Sequence, residues 1–503
     1  MDKIGVIYIG ANSVKFTLMT ILKTGYYKII DESTSDIKLA TDLIYGNTIS
    51  DKKITLTLDN VRSFKSLCKA SSVNDIIAVA NCSLSKAKNI DTLFNEIKTN
   101  FNIDVTLLSE SDEIKSTFLA VVKSMHIENS LIIDICGAST HLSFVQNGKL
   151  ENYTVIPFGT LTHAYKYDLR DRVLPNNLIS AIDVIKDSVS NISWIKDHTF
   201  DSVICVGGTA RAIYKIDRNK KRYPFDIVHN YEMTKNDVHH IYNLVKSKNY
   251  KQRINIEGLS KDRADLIVGG SVILNTILNY IDCDKIIISG RGLREGIMFH
   301  YIENNYGEIK DVLDFNLNGI MDYLHINKTH SFNLYHMTQK LFNSLYPIHK
   351  FKNTYDNVIK TSSLLHDSGI SIDYYHHYRH SFYVILNSNI NGLSHKELIM
   401  SALIGGTHLN LNNIPITPYL SIINKLDIKA INYISVLLSI SEELDRSFEN
   451  AIKDINVEIT DSDVIITITS DLNLELEISH ALLNKEIFLS TFCRNLIIKQ
   501  KNK

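Results

Sequence analysis

LIIDICGASTHLSF, residues 131–144, is the stretch from which the fold of this 503-residue chain can be argued. Apolar residues lead to a lone Asp134, small residues follow at 136–140, and polar and apolar residues then alternate to Phe144. The pattern predicts a strand, a tight turn and a second strand. A turn of small residues lets N–H groups approach an anion, and an Asp at a strand end can hold a divalent cation. We expect a phosphate and metal site here, although an ordinary β-hairpin has the same pattern.

A second copy of this pattern lies at the N-terminus. IGVIYIGANSVKFTLM, residues 4–19, again predicts a strand, a small-residue turn at 10–13 and an alternating strand. Two such loops predict two similar halves that face each other across a cleft containing a polyanion. A third glycine turn, VICVGGTA at 203–210, follows a strand pattern and is expected to line the same cleft. This is the arrangement of the actin-like ATPase and sugar-kinase fold.

Length and composition indicate an ordinary globular protein. With 503 residues, of which 44% are hydrophobic, two to four domains with buried cores are expected. The 54 basic and 55 acidic residues give a net charge of −1, so we expect neither membrane association nor sequence-specific nucleic-acid binding. The six cysteines have no metal or redox spacing, no signal peptide is recognised, and no apolar run approaches about 18 residues. We expect a cytoplasmic protein.

Six motifs of the chain resemble those of the exopolyphosphatase and guanosine pentaphosphate phosphohydrolase (Ppx/GppA) family, in family order. They are IGANSVKF (9–16), LLSESDEIKSTFLAV (107–121), IIDICGASTHLSF (132–144), VGGTARAI (206–213), LSKDRADLIVGGSVIL (259–274) and SGRGLREGIMFHYI (289–302). A later helical region with LLHDSG, HHYRHSFYVILNS and ELDRS resembles the HD-like domain of longer members. The resemblance runs from residue 4 to about residue 450.

The resemblance implies both an architecture and an activity. Two actin-like (ribonuclease H-like) α/β domains, 1–120 and 121–308, would precede an all-α HD-like domain, 309–452, and a small α+β tail, 453–503. For the tail, the pattern predicts a hairpin of strands and a helix near 485–498. The implied activity is hydrolysis that releases terminal orthophosphate from inorganic polyphosphate or guanosine pentaphosphate, with the tetraphosphate as a further ligand. Mg²⁺ or Mn²⁺ in the cleft and a homodimer are also implied.

Glu113 is the predicted catalytic residue. Ser109 and Asp112 form a capping-box-like helix start, which places Glu113 in the first turn, where the helix dipole favours an ionised carboxylate. By itself this is ordinary helix capping, but the resemblance places the family's catalytic glutamate on Glu113. For the cleft, we expect Asp134 as the metal ligand. The expected phosphate-binding residues are Gly10, Asn12, Ser13, Lys15, Gly137, Ser139, Thr140, Gly208 and Thr209.

The chain departs from the family at several site positions. Family members carry an Asp where this chain has Tyr8, and a phosphate-holding Arg where it has Ser85. The second loop has Cys136-Gly137-Ala138 in place of three glycines, and His141 in place of a Glu. Loss of such groups weakens transition-state stabilisation, typically by a few kcal/mol each, and reduces hydrolysis. Three basic residues keep open roles. Lys86 and Lys88 either compensate for the Arg or form a solvated helix face. Arg291 and Arg294 add charge near the cleft, but Arg294 equally suits an ion pair with Glu295 or the capping of a neighbouring helix, so its role is open.

In the helical region, the resemblance places metal ligands on separate helical segments. These are His330, His366, Asp367 and Glu442, with His380 and His408 as additional ligands. Imidazole and carboxylate together suit Mn²⁺, Fe²⁺ or Zn²⁺. The alternative is that these are surface or core histidines, an interpretation that we favour for His376 and His377.

Three hypotheses of different classes stay open. The first is a phosphoanhydride hydrolase that uses Glu113 in the cleft. The second is a metal-dependent hydrolase in the HD-like domain, with the cleft as a sensor. The third is a regulatory protein that binds polyphosphate or the alarmone without catalysis. The overall match favours the first, whereas Tyr8 and Ser85 favour the other two.

Overall fold

The computed structural model describes residues 1–73, 75–351, 355–408 and 414–502. The chain divides into two compact units, Met1–Lys310 and Asp311–Lys503. Among the described residues, no helix combines the length and apolar character needed to cross a bilayer.

The first unit begins with a mixed five-stranded sheet of order β3-β2-β1-β4-β5. β1, β2 and β3 pair antiparallel, whereas β4 pairs parallel with both β1 and β5. Antiparallel neighbours need only short turns, whereas the parallel strands require helical crossovers. The strands are β1 Asp2–Ile9, β2 Val14–Ile21, β3 Tyr27–Ser35, β4 Asp75–Ala80 and β5 Val105–Leu107.

A six-stranded sheet in the same unit repeats this plan. Its order is β10-β11-β9-β6-β7-β8, so β8-β7-β6-β9-β11 corresponds to β3-β2-β1-β4-β5, with β10 added at the edge. As in the first sheet, the hairpin strands are antiparallel and the following strands are parallel. The strands are β6 Asn129–Ile135, β7 Thr140–Gln146, β8 Lys149–Ile156, β9 Ser202–Val206, β10 Tyr231–Thr234 and β11 Lys285–Ile288.

The two leading hairpins also share their register. Tyr8 pairs with Lys15 in the first hairpin, and Asp134 pairs with His141 in the second, in each case one pair before the turn. Tyr8 therefore occupies in the first half the position that Asp134 occupies in the second.

Helices connect and cover these sheets. Phe16 of β2 stacks on Phe64 with ring centroids 4.9 Å apart, which anchors a helix to the first sheet. A Cβ on Gly296 would lie 1.8 Å from the carbonyl oxygen of Ser116, so glycine permits two helices to cross closely. The helices of this unit are α1 Asp42–Tyr45, α2 Asp51–Ala70, α3 Ile90–Phe101, α4 Glu110–Val122, α5 Thr160–Lys166, α6 Pro175–Ser190, α7 Ser193–Lys196, α8 Gly207–Lys221, α9 Lys235–Lys246, α10 Tyr250–Arg253, α11 Ile267–Tyr280 and α12 Leu293–Tyr306, with 3₁₀ helices at Leu39–Thr41, Cys82–Lys86 and Lys261–Arg263.

The second unit is helical up to Leu444 in its described residues and ends in a small α+β region. Its sheet has the order β12-β13-β14. The helix predicted near 485–498 is shorter than expected, since α21 (Lys485–Phe492) ends before β14 (Asn495–Asn502) begins. Leu496 and Ile498 are buried strand residues of β14 and pair with β13 (Asp463–Ser470). The elements are α13 Val312–Leu324, α14 Lys328–Ser344, α15 Tyr346–His349, α16 Asp356–Leu365, α17 His377–Asn387, α18 His395–Thr407, α19 Lys425–Leu444, β12 Asp454–Ile459, β13 Asp463–Ser470, α20 Glu475–Ala481, α21 Lys485–Phe492 and β14 Asn495–Asn502, with 3₁₀ helices at Ser368–Ser371, Thr417–Tyr419 and Leu482–Asn484.

Candidate active site

A cleft of ≈ 110 Å³ lies where the turns of the first unit converge. The two hairpin turns meet there, since a Cβ on Gly137 would lie 3.1 Å from the Cβ of Ala11. Most of the residues predicted for this site line the cleft, namely Gly10, Asn12, Ser13, Lys15, Glu113, Asp134, Gly137 and Gly208.

Glu113 lies in the first turn of α4 and is 1% exposed. Its Oε1 accepts hydrogen bonds from Asn81 Nδ2 at 2.6 Å and from the Cys82 backbone N–H at 2.8 Å. Its buried Oε2 receives no N–H or O–H hydrogen bond from the described residues. Burial raises the pKa of Glu113 to about 7, and Asp134 adds to this, whereas hydrogen bonds from Cys82 and Asn81 act in the opposite direction. A fixed carboxylate with one uncommitted oxygen and a pKa near neutrality is suited to act as a general base.

Asp134 lies beside Glu113 at the end of β6 and is 5% exposed. Its Oδ2 accepts a hydrogen bond of 3.1 Å from Thr117, which lies one turn beyond Glu113 on the same face of α4. Gly207 closes the other side with φ +96°, and a Cβ there would lie 3.0 Å from Asp134 Oδ1. The turn VGG therefore approaches the carboxylate as only glycine allows.

Tyr8 occupies the position where a second carboxylate was expected. Its hydroxyl accepts a hydrogen bond of 3.3 Å from Asn81 Nδ2. The ring lies against the first turn, where a Cβ on Gly10 would lie 2.7 Å from Cε1 of Tyr8. Burial, followed by the nearby Glu113 carboxylate, raises the pKa of Tyr8 well above its usual value, so the phenol stays neutral. A neutral phenol is a poor substitute for a carboxylate as a ligand of Mg²⁺.

The cleft also contains four basic side chains, those of Lys15, Arg211, Arg263 and Arg294. Burial, followed by repulsion from the three arginines, lowers the pKa of Lys15 to about 7. The Arg263 guanidinium covers Gly208, since a Cβ there would lie 2.6 Å from its Nη1. Cations this crowded favour an anionic ligand, because the ligand relieves their mutual repulsion.

Arg294, whose role was open, makes structural contacts at the edge of the cleft. Its Nη1 donates to Thr17 Oγ1 at 2.8 Å and lies 3.1 Å from Glu32 Oε1, and its Nη2 lies 3.6 Å from Glu295 Oε1. Glu295 lines the cleft as a third carboxylate, and Arg291 lies outside the cleft lining. Arg294 therefore both contributes charge and holds neighbouring elements together.

Three predicted phosphate-binding residues do not line the cleft. Ser139 Oγ lies 3.0 Å from His141 Nε2 and faces a neighbouring hollow of ≈ 470 Å³, which Ser85 and Lys86 also line. The Thr140 hydroxyl donates to the Phe158 carbonyl at 2.9 Å. The Thr209 hydroxyl lies 2.8 Å from that of Thr160. For the residues that do line the cleft, phosphate binding stays a prediction.

Sequence reasoning missed four residues that shape the cleft: Asn81, Thr117, Arg211 and Arg263. Thr117, Arg211 and Arg263 lie within the quoted motifs and Asn81 lies outside them, but in every case a single side chain among several polar neighbours gives no signal of its orientation. For Thr117, a signal was present in its spacing of four from Glu113, which places both on one helix face. For Arg211, the signal was its place just beyond the first turn of a helix that follows a glycine turn.

A cation in the cleft would be held by Asp134. Mg²⁺ is usually bound by one or two carboxylates together with substrate phosphate oxygens, and the Asp134 carboxylate satisfies the minimum. Nearby, Glu113, Cys136 and His141 each offer a donor atom within 4.8 Å of the others, but sulfur and imidazole suit softer ions than Mg²⁺. The donor set therefore fits one Mg²⁺ or Mn²⁺, with fewer carboxylates than the family motif provides.

In the second unit, five of the six predicted metal ligands lie in two groups. His330, His366 and Asp367 form one group, and His377, His408 and Glu442 form another, with the donor atoms of each group within 4.8 Å of one another. His377, for which the sequence favours a surface or core role, therefore belongs to the second group. His380 is in neither group of the described residues, and His376 is exposed.

Comparison with known sequences identifies the class of protein. The model of the Ppx/GppA phosphatase family matches residues 20–305, and that of Ppx/GppA phosphatase domain III matches residues 314–488. The chain belongs to the Ppx/GppA phosphatase family, as its motifs predicted. This membership places it among hydrolases of the exopolyphosphatase type.

Individual relatives are distant. A guanosine-5'-triphosphate,3'-diphosphate pyrophosphatase of Aeromonas salmonicida is 22% identical over 79% of each chain. A bifunctional 3-dehydroquinate synthase/phosphatase of Fusobacterium nucleatum is 24% identical over 59% of this chain. The chain covers 46% of the length of that relative.

Two solved structures share the fold. An exopolyphosphatase from Cytophaga hutchinsonii has a TM-score of 0.57 at 18% identity and covers 60% of this chain and 98% of its own. The Aquifex aeolicus Ppx/GppA family member has a TM-score of 0.53 at 23% identity, and the match covers 60% of this chain and 99% of the Aquifex chain. The mixed sheets of the first unit are thus those of the actin-like fold of this family. The HD-like assignment of the second unit stays a prediction.

Proposed function

We propose that the cleft hydrolyses a terminal phosphoanhydride bond and releases orthophosphate from inorganic polyphosphate or guanosine pentaphosphate. The observation that carries the proposal is the uncommitted Oε2 of Glu113, in a cleft that also holds four basic side chains. The two substrates are those for which the Aeromonas and Cytophaga proteins are named. Both end in a phosphoanhydride, which is the bond that this arrangement of groups suits.

Each group has a role in the proposed reaction. The basic side chains bind the phosphate chain, and Lys15 regains its proton as the anion offsets the three arginines. Glu113 Oε2 takes a proton from water as the water oxygen bonds to the terminal phosphorus, while Asn81 and Cys82 hold Oε1. The bond from that phosphorus to the bridging oxygen breaks, and the electron pair leaves with the shortened chain. A cation at Asp134 would neutralise charge on the phosphate oxygens.

Tyr8 favours a second candidate function. Because a neutral phenol replaces a carboxylate, the cleft has less capacity to hold a metal ion against the transferring phosphate. The alternative is a regulatory protein that binds polyphosphate or the guanosine alarmone and acts on a partner. A third arrangement, with hydrolysis in the second unit and the cleft as a sensor, depends on the metal ligands of that unit.

The test is phosphate release from long-chain polyphosphate, tripolyphosphate and guanosine pentaphosphate with Mg²⁺ or Mn²⁺. We expect turnover by the native protein and a loss of about 10²–10⁴-fold in Glu113→Gln, because an amide cannot accept a proton from water. Glu110→Gln, an exposed glutamate of the same helix turn, is the matched control and should retain activity.

The outcomes separate the candidates. Turnover in Glu113→Gln at the native rate would refute the assignment of Glu113. Tight binding of polyphosphate without release by the native protein would favour the regulatory function.

A further inference from the structure

The second unit contains four histidines that share one hydrogen-bonding arrangement. Each places its Nδ1 against an oxygen acceptor, and an imidazole that donates its Nδ1 proton keeps an unprotonated Nε2. The four pairs are His330 with Asp445 Oδ2 (2.7 Å), His366 with the Ser363 carbonyl (2.9 Å), His377 with the Tyr374 carbonyl (3.1 Å) and His408 with the Gly405 carbonyl (2.8 Å).

In three of these histidines, His366, His377 and His408, the remaining ring nitrogen faces a carboxylate rather than a donor. His366 Nε2 lies 3.3 Å from Asp367 Oδ2, and His408 Nε2 lies 3.3 Å from Glu442 Oε2. These two nitrogens, His377 Nε2 and Glu442 Oε2 are buried and receive no hydrogen bond from the described residues. Two facing lone pairs repel each other, and a cation between them removes the repulsion. The arrangement is that expected of a metal site without its metal.

We propose that the second unit binds two divalent transition-metal ions. His330, His366 and Asp367 would hold one ion, and His377, His408 and Glu442 the other. Asp367 is placed to bridge them, since its Oδ2 lies 3.3 Å from His366 Nε2 and its Oδ1 lies 3.6 Å from His377 Nε2. Imidazole with carboxylate selects Mn²⁺, Fe²⁺ or Zn²⁺ over Mg²⁺.

The surrounding structure supports such a site. Asp445 orients His330 from behind, which is the usual role of a carboxylate beside a metal-bound histidine. His366 and His408 follow the last turns of α16 and α18, so their positions depend on packed helices rather than on long loops.

The site is also accessible to ions. His366 and His408 have fully buried side chains, whereas those of Asp367, His377 and Glu442 are 18%, 15% and 22% exposed. An ion can therefore enter from the side of these three residues, and water can complete its coordination.

Elemental analysis tests the proposal separately from the cleft when every protein measured also carries Asp134→Asn and Cys136→Ala, which remove candidate ligands of the cleft. The full chain, purified without chelator or affinity tag, is incubated with Mn²⁺, with Fe²⁺ under anaerobic conditions or with Zn²⁺, and then desalted. We expect about two equivalents of at least one metal. We expect His366→Ala and His377→Ala each to lose at least one equivalent. His336→Ala, an exposed histidine on α14 with His330, is the matched control and should bind two.

A second measurement covers the case in which His366→Ala does not fold. Co²⁺ added to the protein with an unaltered second unit should produce visible absorption bands of a nitrogen and oxygen ligand field, and His377→Ala, altered at a partly exposed position, should change them. Less than about a tenth of an equivalent of every metal, or full metal content in both folded variants, would overturn the site. One equivalent in the protein with an unaltered second unit would overturn the two-ion arrangement.

Discussion

The side-chain amide of Asn81 donates a hydrogen bond of 2.6 Å to Oε1 of Glu113. The same nitrogen also reaches the Tyr8 hydroxyl at 3.3 Å, and Asn81 Oδ1 accepts from the Ser83 backbone N–H at 3.1 Å. The orientation of the predicted base is therefore fixed from the segment after β4 and not from its own helix. Asn81, which lies outside α4, should therefore control both the pKa of Glu113 and the orientation of its carboxylate.

Replacement of Asn81 by alanine tests this control. A hydrogen bond to the ionised form lowers the pKa of a carboxyl, so its loss should raise the pKa of Glu113 above about 7. We expect the acidic limb of the kcat/KM profile for phosphate release to move to higher pH, and the rate at pH 7 to fall about tenfold, as the loss of a charged hydrogen bond predicts. Rates from pH 5.5 to 9 decide the matter, with Asn60→Ala on α2 as the control. An acidic limb that does not move would show that Asn81 does not control Glu113.

Glu113 should also leave a signature in stability that is independent of turnover. Its pKa is raised from 4.5 to about 7 by burial, so the folded state binds the proton more tightly than the unfolded state. This contribution is fully present below about pH 4.5 and is lost as the pH rises through 7. Because glutamine imitates the protonated form, Glu113→Gln should be more stable than the native protein at pH 8.5, by on the order of 3 kcal/mol, and by much less at pH 5.

Urea unfolding of the two proteins at both pH values measures that difference. Glu110→Gln again serves as the control, since Glu110 is exposed. An equal difference at pH 5 and pH 8.5 would contradict the raised pKa of Glu113.

Tyr8→Asp tests whether the cleft is a weakened phosphatase. Tyr8 and Asp134 occupy equivalent positions in their hairpins, so the substitution would place a second carboxylate at the cleft. We expect faster phosphate release and tighter dependence on Mg²⁺, because a second oxygen ligand would help to hold the ion. Steady-state rates over a range of Mg²⁺ concentrations provide the measurement.

Tyr8→Phe is the control, since it removes the hydroxyl without adding charge. Because the Tyr8 ring packs against Gly10, thermal unfolding must first show that Tyr8→Asp is folded. A folded variant with unchanged rate and unchanged Mg²⁺ dependence would favour a cleft that only binds.

The turns of the cleft were predictable because they are local. Small residues between two strand patterns define the hairpins at Gly10 and Gly137, and the capping pair Ser109 and Asp112 defines the start of α4. Thr140 and Thr209, like Ser13, are hydroxyl residues at a small-residue turn. Ser13 lines the cleft, whereas the hydroxyl groups of Thr140 and Thr209 form hydrogen bonds with Phe158 and Thr160. Which side of a turn a hydroxyl faces depends on strand register and packing, and these are long-range properties.

The metal ligands of the second unit also show that long-range contacts are not predictable from local sequence. The pair His366-Asp367 was found because it is contiguous, whereas His377 was dismissed as one histidine of several. The place of His377 in the second ligand group depends on its contacts with Asp367 and His408. The ring centroids of His377 and His408 lie 6.1 Å apart. The C-terminal strand was missed for a related reason, because a short apolar run beside a helix pattern fits either structure until its partner strand is known.

Lys15 should couple ligand binding to proton uptake. Burial and three arginines lower the pKa of Lys15 to about 7, and a bound polyanion should return it towards the usual value for lysine. Above pH 7, binding of tripolyphosphate should therefore take up close to one proton, and affinity should fall as the pH rises. Glu113 titrates in the same range, so the measurement is made in the Glu113→Gln protein, where that carboxyl is absent.

Titration calorimetry at pH 8 in two buffers of different ionisation enthalpy counts the protons, at constant ionic strength because the contacts are screened by salt. We expect the additional substitution Lys15→Met to abolish most of the uptake and to weaken binding most strongly at pH 6, where the ammonium is charged. Lys23→Met, which removes an exposed charge beyond the end of β2, should change neither quantity appreciably. The ligand's own phosphate protons contribute equally to all three proteins, so the difference between them belongs to Lys15. Equal proton uptake with and without Lys15 would mean that the polyanion does not contact this part of the cleft.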